Sequence, residues 1–61
     1  MKKYVLWKMF NNYKITDFEN YNNSVMDTNK VITIKDCWTL YDAIRTAKQY
    51  LYLTDEQIIV K

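Results

Sequence analysis

The fold is decided by residues 30–61, which read KVITIKDCWTLYDAIRTAKQYLYLTDEQIIVK. The middle of this stretch has apolar residues at i, i+3, i+4, i+7 and i+11, the spacing of a single helical stripe. The stripe consists of Leu40, Ala43, Ile44, Ala47 and Leu51. β-branched residues dominate the two ends of the stretch and favour strands there. We therefore predict a strand over residues 31–35, a helix over 39–52 and a strand over 57–61.

The start of this helix carries capping signals. Thr39 is the predicted N-cap, and Asp42 follows three residues later, which is the spacing of a capping box. Trp38 and Ala43 would then form the hydrophobic staple that often accompanies such a cap. A helix with one apolar stripe must bury that stripe, and a sheet made by the rest of the chain is its predicted partner.

The N-terminal segment predicts a hairpin. Residues 4–10 read YVLWKMF and suit a strand, with Val5, Trp7 and Met9 on one face and Tyr4 and Leu6 on the other. Asn11 and Asn12 follow, and we predict that they form a two-residue type I′ turn.

The second strand of this hairpin would cover residues 13–18. A rival pattern overlaps it, because Thr16 and Glu19 have capping-box spacing and could start a short helix through Tyr21. The sequence leaves these two alternatives open. Residues 20–29 are rich in turn-forming Asn, Asp, Ser and Thr and predict a loop.

Together these elements predict a small α+β fold in a single domain, residues 1–61. Its three- or four-stranded sheet consists of the N-terminal hairpin plus strands 31–35 and 57–61, and helix 39–52 packs on one face. The two later strands either lie side by side as a right-handed βαβ unit or are separated by the N-terminal strand in a mixed sheet. One helix of this length is too small to cover both sheet faces, so we expect a second copy or another protein to cover the face with Trp7 and Met9.

The composition limits the ways in which so short a chain gains stability. A domain of 61 residues buries only about 60% of its unfolded surface, so help from self-association is common. Cys37 is the only cysteine and histidine is absent, so we expect no disulfide, no metal site and no cofactor. We expect a homodimer, the commonest oligomer, and a reduced, inert Cys37.

Glycine and proline are both absent. We therefore expect asparagine to occupy the turn positions, because it tolerates positive φ better than most residues do. Without glycine the chain has no phosphate-binding loop of the P-loop or dinucleotide type. Without histidine the usual acid–base groups are reduced to carboxylates, Lys, Tyr and Cys. We expect no catalytic residue and no enzymatic activity.

Net charge and amino-acid composition give weaker indications of partner, location and source. The formal net charge of +2 is too small to indicate nucleic-acid binding by itself. No apolar run approaches the length of a membrane span, so we expect a cytoplasmic protein without a membrane partner. Asn, Lys, Ile, Tyr and Phe have A/T-rich codons and supply almost half of the chain, which favours a low-GC bacterium or its phage as the source.

Two surfaces are candidates for partner binding. Tyr41, Arg45, Lys48 and Tyr52 form an outer stripe on the predicted helix, and Tyr with Arg is typical of binding hot spots. The N-terminal strand supplies the other candidates, Tyr4, Trp7 and Met9. The ordinary alternatives are a solvated helix face and core aromatics with lysines at strand edges.

We therefore expect a small, non-enzymatic protein-binding module that regulates or inhibits another protein. A phage-encoded inhibitor of a host or defence enzyme is one such class. The alternative is a nucleic-acid-binding accessory protein that stacks bases on its N-terminal aromatics beside its lysines.

Overall fold

A hairpin forms the centre of the sheet. β1 (Tyr4–Met9) and β2 (Asn12–Asp17) pair antiparallel, β3 (Ile32–Ile34) pairs antiparallel with β2, and β4 (Ile58–Val60) pairs parallel with β1. The strand order is β3-β2-β1-β4. The computed structural model describes residues 1–61 and confirms the predicted α+β fold with a mixed sheet.

The helical elements connect the strands. A short helix, α1 (Phe18–Tyr21), follows β2, and the long helix, α2 (Leu40–Leu51), connects β3 to β4. Two 3₁₀ turns, Thr28–Lys30 and Asp55–Gln57, precede β3 and β4. Neither helix is long and apolar enough to cross a membrane.

The strand–helix–strand unit straddles the hairpin. β3 and β4 lie at opposite edges of the sheet, with β2 and β1 between them. The Lys61 N–H extends the parallel pairing of β4 by donating to the Leu6 carbonyl at 2.9 Å. Of the two predicted arrangements, the mixed sheet is therefore correct and the adjacent βαβ unit is wrong.

The core lies between α2 and one sheet face. Its buried members are Leu6, Ile15, Ile34, Ala43 and Ala47. Two alanines one turn apart carry little side-chain bulk, so the helix axis can approach the sheet closely. Ile44 and Leu51 of the predicted stripe pack at the border of this core, whereas Leu40 is 39% exposed. The stripe prediction therefore holds for all of its members except the first.

The start of α2 confirms the cap but not the staple. The Asp42 N–H donates to Thr39 Oγ1 at 3.1 Å. The Asp42 carboxylate pairs with Arg45, at 3.5 Å between Oδ1 and Nη2. Trp38 is 91% exposed, so the predicted staple with Ala43 is wrong.

The hairpin turn differs from the predicted one by one residue. Met9 pairs with Asn12, so the two turn residues are Phe10 and Asn11 instead of Asn11 and Asn12. Phe10 has φ 56°, while Asn11 has no positive φ. A type I′ turn requires positive φ at both central residues, whereas a type II′ turn requires it at the first alone. The predicted type I′ turn is therefore wrong.

Positive φ does not fall on asparagine anywhere in the chain. The three residues with positive φ are Phe10, Asp36 and Tyr52, at 56°, 61° and 56°. Tyr52 ends α2, and the N–H of the next residue, Leu53, donates back to the Lys48 carbonyl at 3.0 Å. This is the bond of a Schellman motif, in which glycine is usual. Asparagine does occupy turn positions, at Asn11 and Asn22, but the expectation that it adopts the positive φ values there is wrong.

The sheet face opposite α2 is partly covered by the chain itself. The two alternatives for residues 13–21 are both realised in part, because β2 ends at Asp17 and α1 begins at Phe18. Asp17 caps this helix by accepting from the Asn20 N–H at 3.2 Å. Helix α1 and the segment after it lie over Val5 and Thr16, which are buried.

Asn20 fixes the segment that follows α1. Its Nδ2 donates to Thr16 Oγ1 at 2.8 Å and to the Asp27 carbonyl at 3.0 Å. Its Oδ1 accepts from the Asp27 N–H at 2.9 Å. Both polar atoms of this buried amide are thus hydrogen-bonded, and the side chain links β2 to Asp27 at the start of the first 3₁₀ turn. The expectation that only an external partner could cover this face is therefore wrong in part.

Candidate functional site

Large exposed apolar side chains occur in the hairpin turn and around the start of α2, two segments that meet at one cleft. We call this surface the aromatic end and define it as Phe10, Trp38, Leu40 and Tyr41. β3 ends at Ile34, opposite Tyr13, so the link into α2 starts beside the hairpin. Asn11 and Trp38 line the same cleft, which places the turn against this link.

Phe10 is both strained and unburied. Its side chain is 91% exposed, so it contributes almost nothing to the core. A bulky residue with positive φ is a conformational outlier, and such strain costs on the order of 1–3 kcal/mol. Neither packing nor backbone geometry therefore accounts for phenylalanine at this position.

Trp38 is directed outward by the path of the link between β3 and α2. Asp36, with φ 61°, turns the chain at the end of the strand. Cys37 then packs against the core, with its Sγ 3.6 Å from Thr46 Oγ1. Trp38 follows on the opposite side and is 91% exposed, like Phe10. Thr39 is extended and caps α2 directly after Trp38.

A cleft of about 380 Å³ separates the two parts of the aromatic end. Its lining combines Lys8 and Asn11 of the hairpin with Asp36, Cys37 and Trp38 of the link. The ammonium of Lys8 lies over the ring of Tyr13, 5.7 Å from its centroid. The cleft therefore places the exposed Trp38 ring next to one cation, Lys8, and one carboxylate, Asp36.

Three residues of the predicted helix stripe lie on α2, and both of its cations are in ion pairs. Tyr41 lies in the first turn of α2 and is exposed, whereas Tyr52, also exposed, lies beyond the end of α2 in a left-handed conformation, so the predicted stripe does not extend to it. Arg45 pairs with Asp42, and Lys48 donates to Asp55 Oδ1 at 2.8 Å. Of this stripe, only Tyr41 belongs to the aromatic end.

The three predicted binding residues of the N-terminal strand do not all lie on one surface. Tyr4 lies on the α2 side and packs against the core. Trp7 lies on the other face and is partly covered by Tyr21. Met9, on the face of Trp7, is 41% exposed beside the hairpin turn. These residues remain predicted binding residues, but they cannot all contact one flat partner.

The lysines next to these aromatics divide between the two sheet faces. Lys8 pairs with Tyr13 on the α2 side, whereas Lys14 pairs with Trp7 on the opposite side. Each N-terminal lysine also has an intramolecular partner. Lys2 lies over the Tyr4 ring, Lys3 donates to the Glu56 carbonyl and Lys14 donates to Thr33 Oγ1. They therefore do not form one continuous basic patch.

The acidic and thiol side chains are dispersed. No three of the Cys, Asp and Glu residues come together in a group that could hold a metal ion. Cys37 is half-buried and has Thr46 as its hydrogen-bonding neighbour.

Sequence reasoning identified Tyr41 but missed Phe10 and Trp38. Phe10 was assigned to the end of β1, because the turn was predicted one residue later. Trp38 was assigned to a staple. A signal for both existed, since each is a large aromatic residue directly beside a predicted turn or cap.

No protein-family model matches the chain, and no curated protein or solved structure is significantly similar to it.

Proposed function

We propose that the protein is a non-enzymatic binding module that regulates or inhibits another protein through its aromatic end. The observation that carries the proposal is the 91% exposure of both Phe10 and Trp38 in so small a chain. These rings belong to two segments that meet at one cleft, and large exposed apolar surface marks interaction sites in soluble proteins. Aromatic residues are also the residues that dominate binding energy at protein interfaces.

The energetics favour a protein partner with a matching pocket. Burying a large apolar side chain contributes about 1.5–3 kcal/mol, so two rings supply a substantial part of a micromolar affinity of about 8 kcal/mol. Lys8 and Asp36 flank Trp38 and would lie at the polar rim of such an interface. The strain at Phe10 is consistent with a residue retained for binding instead of stability.

The wider setting of the proposal comes from the sequence. A cytoplasmic location would keep Cys37 reduced. The high content of amino acids with A/T-rich codons favours a low-GC bacterium or phage as the source, so a host or defence enzyme is the proposed target class. Homodimerisation belongs to the proposal as well, and light scattering over a dilution series tests it.

The binding proposal is tested by comparing baits that differ only at the aromatic end. Wild-type protein and a Phe10→Ser/Trp38→Ser double variant are immobilised and exposed to lysate of a low-GC bacterium, and the captured proteins are identified by mass spectrometry. We expect one protein to be captured by the wild type and lost with the double variant.

Both substituted side chains are exposed, so the double variant should keep the circular dichroism spectrum of the wild type. Val25→Ser, which removes an exposed apolar side chain from a loop, is the matched control and should retain capture. Equal capture by all three baits, or no specific capture at micromolar bait, would contradict the proposal.

Nucleic-acid binding is the second candidate. The observation that favours it is the exposed Trp38 ring in the same cleft as Lys8, because single-stranded nucleic acids stack on aromatics beside cations. The division of the N-terminal lysines between two faces weighs against it. A salt titration of binding to single- and double-stranded oligonucleotides tests this candidate. Absence of binding at about 50 mM salt would eliminate it.

A further inference from the structure

We propose that the edge of β3 and the adjoining groove along α2 bind an extended acidic segment of another protein by strand addition. This surface is separate from the aromatic end and is carried by different observations. Strand addition combines backbone hydrogen bonds along a free sheet edge with side-chain pockets beside it.

The edge of β3 has backbone groups available for pairing. β3 has a neighbour only on its β2 side. Hydrogen-bonded and non-bonded pairs alternate along an antiparallel ladder, and the residues that flank a two-residue turn form a bonded pair. Met9 and Asn12 are that bonded pair, so the backbone N–H and carbonyl groups of Tyr13 and Ile15 point away from β1 and towards β3. Their partners Ile34 and Ile32 therefore bond to β2, whereas the backbone groups of Thr33 point away from β2. The N–H and carbonyl of Thr33 therefore face outward.

An apolar groove runs beside this edge. Its floor and walls come from β3 and α2, and its volume is about 230 Å³. Its apolar lining consists of Ile15 of β2 together with Ile32, Ile34, Ala47, Tyr50 and Leu51. Ligand pockets for small molecules are usually about 300–1,000 Å³, so this groove is better matched to one side chain of a segment than to a whole ligand.

The charge at the groove selects an acidic segment. Lys35 is the only charged residue that lines it. Lys35 has no ion pair, because the two salt bridges of the molecule join Arg45 to Asp42 and Lys48 to Asp55. A carboxylate on the added strand would complement Lys35, whereas a lysine at the same position would be repelled.

A second copy of the chain fits this edge less well. A symmetric antiparallel pairing centred on Thr33 would set Lys35 opposite Val31 of the second copy, so it brings no carboxylate to Lys35.

The test uses a fluorescently labelled octapeptide of alternating Thr and Leu with Asp at both ends. A matched peptide has Lys at both ends, and a third has N-methyl groups on its central residues. Anisotropy measures binding to the full chain, and amide shifts in ¹⁵N-labelled protein locate it. We expect the acidic peptide to bind at least tenfold more tightly than the basic one, to shift Thr33 and Lys35, and to lose binding on N-methylation.

A charge-reversed variant is the control for selectivity. Lys35 is exposed, so Lys35→Glu should fold normally and invert the peptide preference. Equal binding of the acidic and basic peptides, no binding at millimolar peptide, or shifts confined to other residues would overturn the proposal. Shifts of Thr33 that grow with protein concentration alone would assign the edge to a second copy, and would overturn it too.

This experiment is independent of the function proposed for the aromatic end. The Phe10→Ser/Trp38→Ser variant should bind the acidic peptide as the wild type does. Loss of peptide binding there would place the site at the aromatic end instead of the groove.

Discussion

The rings of Trp7 and Tyr21 meet edge to face, with 5.1 Å between their centroids and 63° between their planes. This contact joins β1 to α1 on the sheet face opposite α2. Edge-to-face packing places the positive ring edge of one residue against the negative face of the other. The pair therefore closes part of a sheet face that the sequence alone left open.

We predict a measurable coupling between these two rings. In a double-mutant cycle with Trp7→Ala and Tyr21→Ala, the coupling in the free energy of unfolding should be about 0.5–1.5 kcal/mol. Urea denaturation of the wild type, both single variants and the double variant measures it. Tyr41→Ala, which removes an exposed ring, replaces Tyr21→Ala in the control cycle. Additivity within about 0.3 kcal/mol for the Trp7–Tyr21 cycle would show that the two rings do not interact.

The buried amide of Asn20 should be the most sensitive polar group of the chain. Asn20→Asp keeps the size of the side chain but replaces the Nδ2 donor with an oxygen that faces the Asp27 carbonyl and Thr16 Oγ1. Buried polar groups that lose their partners cost about 1–3 kcal/mol each, so we expect a loss of about 2–3 kcal/mol in the free energy of unfolding.

Chemical denaturation and limited proteolysis of the segment after α1 would measure this loss. The control is Asn23→Asp, at an exposed residue whose Oδ1 accepts from the Val25 N–H at 3.2 Å. Aspartate can accept the same bond, so the control should change stability by less than about 0.5 kcal/mol. Similar losses in both variants would refute the role assigned to the Asn20 amide.

The fold was predictable from sequence where the apolar residues follow a strong helical period. The stripe from Leu40 to Leu51 fixed α2, and the Thr39 cap was placed correctly, because both depend on residues close in sequence. Strand order was not predictable, since pairing of β4 with β1 joins Ile58 to Tyr4 across almost the whole chain. The coverage of the second sheet face depended on Asn20, whose hydrogen bonds no local pattern indicates.

The candidate site was less predictable than the fold. Moving the turn from Asn11–Asn12 to Phe10–Asn11 changed Phe10 from a strand residue to an exposed turn residue. Asparagine has the better intrinsic preference for positive φ, but the cross-strand pairing of Leu6 with Ile15 sets the register of the whole hairpin. A buried pair therefore overrides the local preference of the turn, and the resulting strain falls on Phe10.

The Thr39 cap should contribute separately to stability. Thr39→Ala removes the acceptor of the Asp42 N–H and should cost about 1 kcal/mol in the free energy of unfolding. Thr39→Ser keeps a hydroxyl acceptor and serves as the control, with a change of a few tenths of a kcal/mol. Thermal denaturation followed by circular dichroism at 222 nm compares the two. An unchanged midpoint for Thr39→Ala would contradict the assignment of this cap.

Phe10 offers the sharpest separation of stability from binding. Phe10→Gly relieves the positive φ at the first turn position, where a type II′ turn favours glycine. The relief of about 1–2 kcal/mol is partly offset by the greater chain entropy of glycine in the unfolded state, so we expect a net gain of about 1 kcal/mol. In a domain of this size such a gain raises the Tm by about 4–8 °C.

Phe10→Ala is the matched control, because it removes the ring but keeps a Cβ at the same strained φ. We expect Phe10→Ala to be close to the wild type in stability, since the ring is 91% exposed, and we expect both variants to lose the partner captured through the aromatic end. Differential scanning calorimetry gives the stabilities, and the capture experiment gives the binding.

Equal stability of the glycine and alanine variants would show that φ at Phe10 carries no strain. Retained capture by both would remove Phe10 from the binding surface. A more stable protein that no longer binds would show that phenylalanine is kept at this turn for its partner, at the expense of the fold.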